Sequence, residues 1–115
     1  MDKQELKDRT KQFALRIIKL TQTLPKNSAG NVIGHQLLRS ATGTAANYRA
    51  ACRARSKIEF IAKIGIVVEE ADESCFWLEM IIDAKLLEEN LVKDLLKEAN
   101  EITAIMYSTR NTAKS

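Results

Sequence analysis

The chain has few of the residues that punctuate or cross-link a fold. It holds one proline, Pro25, and four glycines, so little in it forces a helix to stop. Valine is sparse and no strict apolar/polar alternation runs far, which argues against strands. Aromatic residues make up 5%, too few for an aromatic-rich nucleic-acid-binding sheet. The two cysteines, Cys52 and Cys75, lie far apart inside helical patterns. They lack the close CxxC spacing of a Cys-type metal site and read as reduced, largely buried thiols of a cytoplasmic protein. His35 is the single histidine, so the paired Glu-x-x-His motifs of a di-iron bundle are missing. Neither GxxxxGK[ST] nor GxGxxG occurs, and no Ser or Cys has a sequence-evident base to activate it. No apolar run approaches about 18 residues, so nothing is expected to span a membrane. The charged start "MDKQELKDRTKQ" lacks the apolar region of a signal peptide. The expectation is a cytoplasmic protein that is not an enzyme and needs no cofactor and no metal. A nuclease would need clustered metal ligands or a general base in a pocket, which only the acids of the third helix could offer.

What is present is helix-forming. Ala, Leu, Ile, Lys and Glu dominate, and a chain of 115 residues suits a single domain, 1–115, with one modest core. Leu6, Thr10, Phe13, Ile17, Leu20 and Leu24 recur at heptad-like spacing, which predicts a first helix over about 3–23, ended by Leu24-Pro25. Asn27 or Ser28 can cap a second helix over about 28–55. On it Ile33, Leu37, Ser40, Ala41, Thr44, Tyr48 and Ala51 share one side. That side is mostly small, so a neighbouring helix can approach closely. Gly43 and Gly65 sit mid-helix, each forgoing about 1 kcal/mol of propensity, which close packing is expected to offset. "SKIE" at 56–59 reads as a capping box in which Glu59 reaches back. It opens a third helix to about 87 with core positions Phe60, Ile64, Val68, Ala71, Cys75, Leu78 and Ile82. A second apolar set on this helix, Ile66, Trp77, Met80, Ile81 and Ala84, lies on another flank beyond the acids. One stripe suffices for a monomeric bundle, so the second suggests an oligomer interface at Ile66, Trp77, Met80 and Ile81. Asn90 is a plausible cap for a fourth helix over about 91–110, along Leu91, Leu95, Ala99, Ile102, Met106 and Thr109, followed by a frayed polar tail. Four helices with short links predict an all-α, antiparallel, up-down-up-down four-helix bundle.

Charge is segregated. The total is +3, yet residues 26–57 carry six bases and no acid, while residues 58–91 carry nine acids against two bases. His35, Arg39, Thr42, Ala46, Arg49 and Arg53 fall opposite the small side of the second helix, so the arginines and the small residues occupy different faces. Two uses of the arginines follow. They can contact phosphates of RNA or DNA, which needs clustered cations and no particular spacing. Alternatively they pair with Glu69, Glu70, Asp72 and Glu73 of a neighbouring subunit.

The stretch "QLLRSATGTAANYRAACRARSKIEFIAKIGIVVEEADESCFWLEMI" at 36–81 resembles the 23S rRNA-intervening-sequence protein family. Gln36, Leu37, Arg39, Ser40, Ala41, Asn47, Ala50, Ser56, Phe60, Ile61, Glu70, Ala71, Glu73, Phe76, Trp77 and Leu78 stand at positions matching its motifs. The chain departs at Thr44-Ala45, where the family often has Ser followed by Ile or Val. It departs again at Arg49-Ala50-Ala51, where the family often has an acid, and so makes its second helix more basic. The resemblance implies a cytoplasmic, non-enzymatic helical bundle. It also implies kinship with accessory proteins of diversity-generating retroelements, which form pentameric rings and work with a reverse transcriptase and nucleic acid. The reading that joins these strands is a ring-shaped homo-oligomer that is nucleic-acid-associated or a scaffold, with Arg39, Arg49, Arg53, Arg55 and Lys57 as phosphate contacts. The alternative is a protein-interaction module without nucleic-acid contact.

Overall fold

Asp2 starts the first helix. Its carboxylate accepts from the Glu5 amide at 2.8 Å, and Glu5 accepts in return from the Asp2 amide at 3.4 Å, closing a capping box. In the computed structural model, which describes all residues 1–115, four helices follow: α1 (Lys3–Thr21), α2 (Ser28–Cys52), α3 (Lys57–Asp83) and α4 (Glu89–Lys114). The molecule is all-helical, measures 44 × 20 × 19 Å, and is therefore about as long as α3, whose 27 residues span roughly 40 Å at 1.5 Å each. None of its helices is long and apolar enough to cross a membrane.

All six residues of the α1 stripe are buried, as are all seven of the α2 set. Together with α3 and α4 they close one core of 21 buried apolar residues. Helix α2 packs most extensively on α3, α3 on α4 and α1 on α2, while α1 and α4 meet least. The small side of α2 explains the first of these. Ser40 and Ser74 are fully buried and share a hydrogen bond at 3.0 Å across the seam. A Cβ placed on Gly43 would run into the Glu70 carboxylate, so that glycine is matched to a close neighbour as its position suggests. Gly65 is not: the nearest atom to a Cβ there is an Arg110 nitrogen at 3.9 Å. No close packing repays its lost propensity. Between α1 and α4 a bidentate pair does the bridging, with Arg9 donating to Glu98 at 2.7 and 2.8 Å. Those bonds hold the Glu98 carboxyl below its ordinary pKa.

Helix ends depart from the periodicity. Helix α2 stops at Cys52, short of 55, and α3 at Asp83, short of 87. The α3 end is a Schellman motif: Leu86 N–H bonds Ile81 C=O and Lys85 N–H bonds Ile82 C=O, each at 3.0 Å. The left-handed residue is Lys85, at φ 57°, where glycine is usual, so no residue type announced it. Asn90 does not cap α4. The helix begins two residues earlier, after Glu88, with no side-chain cap, and the tail expected to fray is helical to Lys114. Asn27, by contrast, caps α2 through Gly30 N–H at 2.9 Å.

The second capping box forms by half. Ser56 accepts from the Glu59 amide at 3.1 Å, but Glu59 reaches the amide of Arg55 at 3.3 Å and not that of Ser56. Ser56→Ala should still cost about 0.5–2 kcal/mol, because one orphan N–H of α3 loses its acceptor. An unchanged melting midpoint by circular dichroism would show that this cap carries no weight.

Candidate nucleic-acid interface

Because one side of α2 is committed to α3 and the core, its opposite side faces solvent. There Arg39, Arg49 and Arg53 are exposed, with His35 on the same face. Arg55 and Lys57 are exposed in the short link to α3. The structure thus strings the five cations along α2 and around its C-terminal end. Arg39 to Arg53 spans roughly 21 Å of helix at 1.5 Å per residue.

None of the five forms an ion pair within the chain. The only salt bridges are those of Arg9 with Glu98 and Glu101. Arg39 comes nearest to one, because it lies close enough to Glu70 to act on its carboxyl. Burial against α2 raises the Glu70 carboxyl above its ordinary pKa, Glu73 adds to the rise, and Arg39 offsets part of it. Charge is divided across the bundle as well as along the sequence. Residues 1–53, which include α1 and α2, carry ten bases against three acids, whereas residues 56–115, with α3 and α4, carry seven bases against twelve acids. One side of the molecule is therefore at +7 and the other at −5, a transverse polarity that favours anions on the α1–α2 side.

Two bases that the α2 pattern did not reveal join the arginines. Lys7 and Lys11 of α1 stand beside Arg49 across a surface groove of about 390 Å³. Their i, i+4 spacing places them on one face of α1. Only the packing of α1 on α2 says that this face adjoins Arg49.

The flank assigned to oligomer contact is split. Ile66 is 39% exposed, and Trp77 and Met80 are half-buried. Trp77 donates to Glu73 at 3.3 Å and its ring meets Phe76 edge-on at 4.9 Å. Ile81 does not belong to it: it is 0% exposed and sits in the core. The α3 stripe is turned toward α2, so Val67 and Ile81 fill the interior where Val68 and Ile82 were expected, and the latter pair are half-buried. Phe76, 50% exposed, takes the vacated place among the surface apolar residues. It falls on neither periodic set, so the sequence pattern alone did not single it out.

No three His, Cys, Asp or Glu side chains converge in a group that could hold a metal ion. Cys52 is half-buried and Cys75 buried, both free thiols. Burial pushes the Cys75 thiol up, against a weaker opposing contact from Thr103 at 3.6 Å, which leaves it a poor nucleophile.

Comparison with known proteins adds three findings. The family model described as 23S rRNA-intervening sequence protein matches residues 2–108. A crystal structure from Bacteroides thetaiotaomicron, of a protein with unknown function from the S23 ribosomal protein family, is similar over 91% of this chain and 97% of its own, with 32% identity and a TM-score of 0.84. No curated protein matches.

Proposed function

The chain belongs to the 23S rRNA-intervening sequence protein family, and from that premise we propose that it is a small nucleic-acid-associated bundle that contacts RNA or DNA phosphates through Arg39, Arg49, Arg53, Arg55 and Lys57. One observation carries the reading. All five cations are exposed, and no carboxylate of the same chain pairs with any of them. Exposed, unpaired cations spaced along a rod bind a polyanion by releasing its counterions, without reading its bases. The protein works by binding rather than catalysis, and its setting is the cytoplasm. A gel-shift titration of the wild type with single- and double-stranded RNA and DNA at low salt tests this. Failure to shift any of them ends the reading.

Consecutive helices run antiparallel, up-down-up-down. The pairings Ser40–Ser74 and Gly43–Glu70 support this for α2 and α3, since one number rises as the other falls. The protein is also a homo-oligomer, a ring of five by the family resemblance, with the resemblance suggesting a reverse transcriptase as its protein partner. Support for self-association comes from the transverse polarity, which favours head-to-tail contact of an acidic α3 side with a basic α2 side, and from Ile66, Phe76, Trp77 and Met80 at the surface. Light scattering at micromolar concentration should give a multiple of the 12.9 kDa chain. A particle of that single mass would remove the ring.

The same polarity favours a second reading, an interaction module whose basic and acidic sides satisfy each other across subunits. It predicts an oligomer that shifts no nucleic acid.

A further inference from the structure

Resting on the reading above, we propose that a single strand of nucleic acid runs its sugar-phosphate backbone along the groove between α1 and α2, where Lys7 and Lys11 join Arg49 in neutralising its phosphates. The groove is about 390 Å³ and open to solvent, with Ala14, Ala45 and Ala46 among its lining residues. Side chains no larger than a methyl keep it open and let a ligand backbone come near both helices. Its walls carry three cations and one carboxylate, Asp8. Asp8 accepts a hydrogen bond from Gln4, one turn away on α1, at 3.0 Å, and none of the three cations is paired within the chain. The net field in the groove is therefore positive.

The same geometry selects the form of the ligand. Neighbouring helix axes lie about 8–10 Å apart, so the furrow between them suits one backbone strand. A flexible single strand can follow that furrow along its length, whereas each backbone of a duplex winds about its own axis and meets the furrow over only a few phosphates. No aromatic side chain lines the groove, so bases have no stacking platform there, and the contact is indifferent to sequence. The larger hollow where α1 turns into α2, about 590 Å³, offers only Lys26 and His35 as basic groups and makes no comparable cluster. The hollow around Leu86 and Leu87 carries Glu88 and Glu89 against the single base Lys85, a net negative lining that disfavours an anion.

The test is fluorescence anisotropy with a labelled oligothymidylate of about 20 nucleotides and its duplex counterpart at low salt. Lys7→Ala with Lys11→Ala should weaken single-strand binding about tenfold. Ala46→Leu changes no charge and only fills the groove. Ala46 is exposed, so the fold should survive, and the substitution should weaken binding about fivefold or more if the backbone enters. Lys19→Ala with Lys93→Ala, which removes two charges outside the groove, should change it by less than about twofold. Helicity by circular dichroism accompanies each variant, with Ala46→Met as a substitute should Leu disturb it. If Arg49→Ala with Arg53→Ala weakens binding while Ala46→Leu and the lysine pair do not, the groove is wrong and the phosphate-contact reading stands. Equal or tighter binding of the duplex also overturns the single-strand assignment. A wild type that binds neither probe removes both.

Discussion

Raising the salt concentration from about 50 to about 200 mM should weaken the binding of single-stranded RNA or DNA by roughly a hundredfold. The figure follows from the five phosphate contacts of the proposed function taken alone, each contributing a slope of about −0.7 in log affinity against log salt for a single strand, and Lys7 and Lys11 would steepen it for a strand lying in the α1–α2 groove. The five are Arg39, Arg49, Arg53, Arg55 and Lys57, all exposed. Arg49→Ala with Arg53→Ala should lower the slope by about 1.4 and weaken all sequences alike, since these residues touch no base edge in this reading. The fold should be indifferent, because neither side chain is buried or ion-paired within the chain. If the arginines instead pair with Glu70 or Glu73 of a neighbouring copy, the same double change should shrink the oligomer in a sizing run, and the wild type should show no salt-sensitive binding. A flat salt profile for a wild type that does bind would also exclude phosphate contact, since counterion release is unavoidable when cations meet a polyanion.

Two glycine-to-alanine changes in this bundle should have opposite signs. Gly30→Ala should destabilise by about 3 kcal/mol, at the upper end of the cost of overpacking. A Cβ there would overlap the carbonyl of Pro25, and that carbonyl is backbone, fixed by the α1–α2 turn. The conflict is one of space and not of conformation, since no glycine in the chain has positive φ. Gly65→Ala should stabilise by up to about 1 kcal/mol, because its Cβ would meet only an arginine end at ordinary contact distance while the helix gains propensity. Gly43→Ala falls between the two: its Cβ meets the Glu70 carboxylate, the movable end of a flexible side chain. Urea melts followed by circular dichroism give all three. Wild-type stability for Gly30→Ala would mean that the first turn of α2 does not rest on Pro25.

The helices themselves were legible in the sequence. The repeat from Leu6 to Leu24, apolar except for Thr10, has only one way to be buried, and all six of its residues are inside. The small side of α2 likewise leaves only one face for the core, which puts His35, Arg39, Arg49 and Arg53 in solvent. Asn27 and Ser56 announced their helix starts because capping is local chemistry. Membership of a bundle family was legible too, in the motif positions from Gln36 to Leu78.

What only the tertiary structure decided has a common physical reason: it depends on how one helix is rotated against another. Helix α3 is apolar at Ile58, Phe60, Ile61, Ile64, Ile66, Val67 and Val68, so periodicity admits more than one stripe, and neighbouring residues differ by 100° of rotation. Packing of Ser74 on Ser40 across the small face of α2 chose between them. It drew Val67 and Ile81 inward and left Phe76 outside. The place of Lys7 and Lys11 beside Arg49 is of the same kind, for a stretch of α1 carries no mark of the helix it will lie against. The end of α3 at Asp83 depends on Lys85 taking a left-handed turn that its side chain does not favour. The hydrogen bonds of the last turn, formed as the chain doubles back toward α4, hold it there.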